Sequence, residues 1–194
     1  MSESVKPYST VLKFETGMLE SFKKRVKVKL SDLREFFCDR EAADQILSCA
    51  KNPVIYEYYE NAQPEVEGQL NFGITMINPG KVGKEYHMTR GHHHAKENTA
   101  EIYMGLKGEG LIIMQTRDGQ VVHLPIRTGD VVYVPSFWAH RTVNTGKEKF
   151  SFFYVYPSDA GHDYATIKEK GFAKLIIEEK GQPKVVDNPK FIKR

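Results

Sequence analysis

Cysteine is scarce in this chain: Cys38 and Cys49 are the only two, they form no C-x-x-C pair, and both fall in a segment that reads as helical. A disulfide framework is therefore excluded, and reduced, buried thiols in a reducing cytoplasm are the expectation. Long apolar runs are missing too. No stretch approaches the roughly 20 residues that cross a bilayer, and the opening MSESVKPYST has no apolar core behind a basic head. The expectation is a soluble, unexported, cytoplasmic protein with no membrane partner. Charge of one sign is equally lacking, since 28 basic residues against 25 acidic ones leave a formal +3, and the basic residues are dispersed. A phosphate backbone needs a basic stripe, so no nucleic-acid partner is expected. What is present is enough apolar and aromatic material, 40% and 11% of 194 residues, to bury the core of one domain spanning 1–194.

Residues 31–51, SDLREFFCDREAADQILSCAK, place Leu33, Phe36 and Phe37, then Ala43, Ile46, Leu47 and Ala50 at helical spacing. Ser31 and Asp39 stand where N-caps belong, which predicts two short helices. From Pro53 to Pro157 the chain becomes a series of short Tyr-, Val-, Ile- and Phe-rich runs: VIYEYY, LNFGITMI, AEIYMGL, GLIIMQT, VVHLPI, DVVYVP, RTVNT and KFSFFYVYP. Turn signals such as Asn78-Pro79-Gly80, Asp118-Gly119 and Thr128-Gly129-Asp130 separate them. Many strands with no interleaved helices predict an all-β antiparallel sandwich or barrel over about 53–157. In the C-terminal extension, about 158–194, DYATIKEKGFAKLII predicts a short helix and a last strand, followed by a polar tail.

The stretch GHHHAKENTAEIY, residues 91–103, joins three adjacent histidines to two carboxylates. On a strand, residues two apart face one side and are separated by about 6.6 Å, so His92 and His94 can share one ion while His93 faces away. Glu101 has the wrong parity for one unbroken strand. A bend at the polar Lys96–Thr99 is required, after which Glu101 and Tyr103 point inward together and Glu97 remains solvated in the turn. His140, following the apolar run DVVYVP, offers a fourth ligand. His87 and His123 are read as ordinary surface or satisfied core histidines. Trp138 is read as packing, and Arg127, Arg141 and Lys96 as solvated charges that could also steer anions.

With glycine, five residues, proline, four more, His140, three more and Asn144, the second segment resembles the second signature motif of the cupin superfamily. Phe137 stands where that motif has glycine. The first segment, Thr89 to Tyr103, fits a longer form, T-x-G-H-x-H-A-K-x-x-x-A-E-x-Y, and resembles that of the cupin-type phosphoglucose isomerases. LNFGIT (70–75), NPGKVGKE (78–85), VVYVPSFWAHRTVN (131–144), YPSDAGHDY (156–164), KVVDNP (184–189) and FETGMLE (14–20) extend the resemblance along nearly the whole chain.

The resemblance implies a cupin barrel preceded by short helices. It implies one divalent metal held by His92, His94, Glu101 and His140, with iron the first expectation and manganese, nickel or zinc the others. A cytoplasmic homodimer that interconverts glucose 6-phosphate and fructose 6-phosphate is implied too, with the phosphate at Thr75, Thr89, Gly91 and Tyr156. Aldose–ketose isomerisation needs a polarised carbonyl and a base within ~3 Å of a carbon-bound proton. Glu101 is the expected base, through a cis-enediol(ate), with a direct hydride shift as the rival mechanism. Tyr103 is expected to bind a sugar hydroxyl, and His162 to give a proton during ring opening or bind substrate. Two other readings of the same ligands are a metal-dependent dioxygenase and a non-catalytic sugar-phosphate-binding cupin.

Overall fold

The computed structural model describes residues 5–191. The first four residues of the opening stretch and residues 192–194 of the expected tail lie outside the described residues.

The chain runs through β1 (Leu12–Lys13), β2 (Met18–Leu19), β3 (Lys24–Lys29), α1 (Leu30–Leu33), a 3-10 turn (Arg34–Phe36), α2 (Arg40–Ser48), β4 (Val54–Asn61) and β5 (Leu70–Ile77). It continues with β6 (Lys81–Val82), β7 (Glu85–Tyr86), β8 (Glu101–Lys107), β9 (Glu109–Gln115), β10 (Val121–Arg127), β11 (Val131–Val134), β12 (Ala139–Asn144) and β13 (Phe150–Pro157). The described residues then form α3 (Ala165–Lys170), β14 (Lys174–Glu179) and β15 (Gln182–Asp187). All eight predicted apolar runs are strands.

Six strands make one sheet in the order β11-β8-β13-β5-β4-β3, and β10-β9-β12 make a second. Every pair within them is antiparallel. Alternation decides which side chains enter the barrel. In β8, Glu101, Tyr103 and Gly105 are buried while Ile102 between them faces out. The inner faces meet in one core that includes Phe150 and Phe152 of β13, Ile112 and Met114 of β9, Ile126 of β10 and Val132 of β11. Each such side chain gains roughly 1.5–3 kcal/mol on burial.

Several expectations are corrected. Asp39 does cap α2, its carboxylate accepting from the Ala42 N–H at 2.9 Å, but Ser31 is not a cap. Ser31 lies inside α1, and the carboxylate of Asp32 reaches back to the Lys29 N–H instead. Cys49 is exposed and Cys38 half-buried, both free; Cys49 lies at the C-cap just beyond α2, where the side chain is open to solvent, so the expectation of buried thiols fails for it. The polar stretch after β14 is not a tail up to Asp187, because Gln182–Asp187 pairs with β14 as a hairpin. The strand β3, KRVKVK, carries too many lysines to read as a strand from composition. It forms because Val26 and Val28 pack inward while Arg25, Lys27 and Lys29 face solvent at the sheet edge.

Candidate metal centre and substrate cavity

The H-x-H segment is not a regular strand. Residues 87–92 run beside β12, with the Thr89 N–H donating to Thr142 O (2.9 Å), the His140 N–H to His92 O (3.0 Å) and the Asn144 N–H to His87 O (2.9 Å). Gly91 has φ +71°, and a Cβ there would lie 2.6 Å from the Phe172 ring and 3.0 Å from the His140 carbonyl. Only glycine lets the backbone come this close to β12. On its other side the segment bridges Asp163: the Asp163 N–H donates to His93 O at 2.8 Å. His93 is buried outside the cluster that its neighbours form. The expected bend follows at 95–98, and Glu101 opens β8 opposite Val134. Glu97 lies in that bend, but its carboxylate is bound by Arg117 Nε at 2.5 Å rather than only solvated.

His92, His94, Glu101 and His140 each present one ligand atom, all within 4.8 Å of one another. His94 Nε2 is 3.2 Å and His140 Nε2 3.0 Å from Glu101 Oε2. Among the described residues, His92 Nε2 and His140 Nε2 are buried without a hydrogen-bond partner, which leaves each at a cost of about 1–3 kcal/mol. The tautomer of His94 follows from the hydroxyl of Thr99. That hydroxyl gives its single proton to the Lys96 carbonyl (2.6 Å), so it accepts from His94 Nδ1–H (2.8 Å). Nε2 of His94 then directs a lone pair at another acceptor, Glu101 Oε2, an arrangement that calls for a cation between them. Orphaned nitrogens, opposed acceptors and a three-imidazole, one-carboxylate donor set fit a divalent ion.

Electrostatics point the same way. Burial, then the neighbouring His140, His162 and His94, keep His92 far below the usual imidazole range, so it is a neutral ligand. Burial alone would raise the Glu101 carboxyl, but positive charge at the His140 and His94 nitrogens outweighs it and holds the group down at about 2, the place where a bound cation would stand in for those protons. Burial pushes His162 down to about 4, with Glu101 opposing. Above that pH His162 is neutral, with one ring N–H to donate and one ring nitrogen to accept.

The cluster opens onto a cavity of about 390 Å³ whose wall includes Thr75, Thr89, Gly91, His92, Glu101, Tyr103, His140, Tyr156 and His162. Thus every site residue named from the sequence is brought to one place, with His94 just behind the wall. His162 lies 4.4 Å from His92 and 5.5 Å from Tyr164, ring centre to ring centre. Sequence reasoning missed other wall residues: Lys24, Tyr56, Tyr58, Glu60, Asn71, Arg90, Tyr154 and Tyr164. Glu60 is buried, and one of its oxygens accepts from both Tyr154 (3.1 Å) and Tyr156 (3.0 Å). The one available signal was alternation, since Tyr56, Tyr58 and Glu60 share a face of β4. The three charges considered for anion steering lie elsewhere. Lys96 pairs with Asp159 (2.7 Å), and Arg127 is exposed near Glu109. Arg141 is buried rather than solvated, because its guanidinium donates to the Arg90 carbonyl and lies 4.8 Å over the Phe172 ring.

A two-sheet antiparallel barrel holding a three-histidine, one-glutamate group on its inner wall is a cupin, with the ligands divided between an H-x-H segment, β8 and β12. Comparison with known proteins narrows the class. Residues 27–192 match the family model described as Glucose-6-phosphate isomerase (GPI). The chain is 52% identical over 189 residues to the Thermococcus kodakarensis protein named Glucose-6-phosphate isomerase, covering 97% of this chain and 98% of that one. It is 50% identical over 187 residues to the Pyrococcus furiosus protein of the same name, covering 96% and 98%. A deletion mutant of Bacillus subtilis oxalate decarboxylase superposes with a TM-score of 0.45 at 23% identity, over 55% of this chain and 27% of that one; so partial a likeness carries no argument. The chain belongs to the glucose-6-phosphate isomerase family.

Proposed function

We propose that this chain is a metal-dependent isomerase that interconverts glucose 6-phosphate and fructose 6-phosphate, as a single cupin domain with a helical segment at about 31–51 and an extension after Pro157. The observation that carries the reading is the four-ligand group within 4.8 Å that opens on a polar, tyrosine-lined cavity in a chain matching its named relatives end to end.

His92, His94, Glu101 and His140 would hold the ion, iron first among iron, manganese, nickel and zinc. When bound, a divalent cation supplies Lewis-acid polarisation of the substrate carbonyl oxygen. Glu101, ionised and at the edge of the cavity, takes the proton from the carbon beside the carbonyl and returns it to the neighbouring carbon. The electron pair shifts through an enediolate as it does so, and the hydroxyl proton passes from one of the two substrate oxygens to the other. A carboxylate abstracts such a proton only from an activated carbon, so base and activating group must lie together, as they would with an ion held at the Glu101 end of the cavity. Neutral His162 and the Tyr103 hydroxyl hydrogen-bond the sugar oxygens, and Thr75, Thr89 and the Gly91 main chain border the phosphate.

The homodimer belongs to the proposal as well. Ile102, Val131, Tyr133 and Phe137 leave an apolar strip exposed on the outer face beside edge strand β11, which a second copy would cover. No helix among the described residues is long and apolar enough to cross a membrane. A cytoplasmic location is proposed from the glycolytic and gluconeogenic reaction.

The test is conversion of fructose 6-phosphate to glucose 6-phosphate with elemental analysis of the same sample. Chelation should abolish turnover and a divalent metal restore it; full activity in a demetallated sample sinks the reading. Solvent deuterium incorporated at C2 supports proton transfer over the hydride shift.

A further inference from the structure

The substrate of the proposed reaction carries a phosphate dianion, yet the groups first expected around it, Thr75, Thr89, Gly91 and Tyr156, include no cation. The structure supplies one. We propose that Arg90 is the phosphate anchor of the cavity. This rests on the isomerase reading and adds the residue that fixes which end of the sugar points where.

Arginines among the described residues are otherwise occupied. Arg25 pairs with Glu57, Arg34 with Asp44, Arg40 with Glu35, Arg117 with Glu97 and Arg127 with Glu109, while Arg141 donates to the Arg90 carbonyl. Arg90 has no such partner among these residues. Its Nε is buried and unpaired, its guanidinium carbon lies 5.6 Å from the centre of the Tyr164 ring, and it lines the cavity. An always-charged planar donor left unpaired in a partly dry wall is costly unless an anion completes it, and a phosphate accepts two of its N–H groups side by side. Its neighbours in sequence, Thr89 and Gly91, border the same cavity, and its main chain is clamped by Arg141.

Charge fixes the orientation. The Tyr164 ring links the two regions, its centre 5.6 Å from the His92 ring centre and 5.6 Å from the Arg90 guanidinium carbon. The opposite placement fails. Tyr156 gives its only hydroxyl proton to Glu60, so it has none for a phosphate, and the Glu60 carboxylate repels a dianion. Lys24, the other cation of the cavity, is the cross-strand partner of Glu60.

The test is calorimetric titration of metal-loaded wild type, Arg90→Ala, Arg90→Gln and Arg90→Lys with inorganic phosphate, beside steady-state kinetics and melting curves. Loss of a charge-assisted contact predicts roughly 10- to 100-fold weaker phosphate binding for the Ala and Gln variants. The Lys variant should lose less. KM for fructose 6-phosphate should rise more than kcat falls, at a melting temperature close to wild type. Should Arg90→Ala fail to fold, the Gln and Lys variants decide. Phosphate affinity within twofold of wild type in a folded variant overturns the proposal, as does absence of saturable phosphate binding to wild type in the millimolar range. Arg90-dependent phosphate binding in a wild type that does not turn over fructose 6-phosphate would keep the anchor and remove the isomerase reading.

Discussion

The Nδ1 of His94 lies 2.8 Å from the Oγ1 of Thr99, and that hydroxyl spends its own proton on the carbonyl of Lys96. One side chain outside the ligand set thereby fixes the tautomer of a ligand and closes the bend that lifts Glu101 into place. Thr99→Val keeps shape and loses the acceptor, so metal affinity should fall about 10- to 100-fold, with Thr99→Ser restoring most of it. Competition against a chelator measures this; equal affinity in the Val variant would show that the hydroxyl does not orient the ring.

Gly91→Ala should destabilise the fold by about 2–5 kcal/mol and reduce metal uptake, because the left-handed backbone and the contact with the Phe172 ring and the His140 carbonyl leave a methyl no room. Denaturant unfolding and metal analysis report both effects. A variant as stable as wild type would mean the segment can shift away from β12 without cost.

Glu101→Gln removes the proposed base and one ligand charge while keeping the shape. Turnover should fall by roughly 10²–10⁴, and metal should bind more weakly, without loss of the folded state. Retained turnover at full metal content would move the base elsewhere.

Glu60 and its two tyrosines form a buried unit. Glu60→Ala strands the Tyr154 and Tyr156 hydroxyls and should cost about 1.5–3 kcal/mol. The triple change with Tyr154→Phe and Tyr156→Phe should cost less than the three single changes added together. Strict additivity in urea unfolding would argue that the three do not act as one network.

His93, buried outside the ligand group, gives a pH dependence of its own. Burial, then Arg117, pushes it down to about 4, whereas in the unfolded chain an imidazole titrates near 6.5. Between those values the unfolded chain binds the extra proton, so stability falls as the pH drops from about 6.5 towards 4, by at most about 1.4 kcal/mol per pH unit, and is unaffected by this group above 6.5. His93→Phe should flatten that part of the stability curve, measured by thermal melts of metal-free protein from pH 7 to 4.5. An unchanged slope would assign the acid sensitivity to other groups.

The barrel strands were legible because they are short runs rich in Val, Ile, Phe and Tyr set off by turn signals of Gly, Pro, Asn and Asp. The helix cap at Asp39 was legible from local chemistry alone. Ser31 misled because a cap position depends on where the backbone enters the helix, and the chain arrives there directly from β3. The hairpin partner β15 and the edge strand β3 were hidden by polar composition, since an edge or hairpin strand buries only part of one face.

The metal ligands were legible from spacing and from the motifs they resemble: two histidines two apart, a carboxylate after an obligatory bend, and a histidine just beyond an apolar strand. What spacing cannot encode is which distant side chains share a wall. Glu60, Arg90, Tyr154 and Tyr164 come from separate stretches whose residues look ordinary in sequence, and only the register of β4, β5 and β13 and the crossing of the 87–94 segment over β12 bring them to one cavity. Local pattern fixes the direction in which a side chain points; the partners that await it there, and hence its charge state and its freedom to bind a ligand, are set by the closure of the barrel.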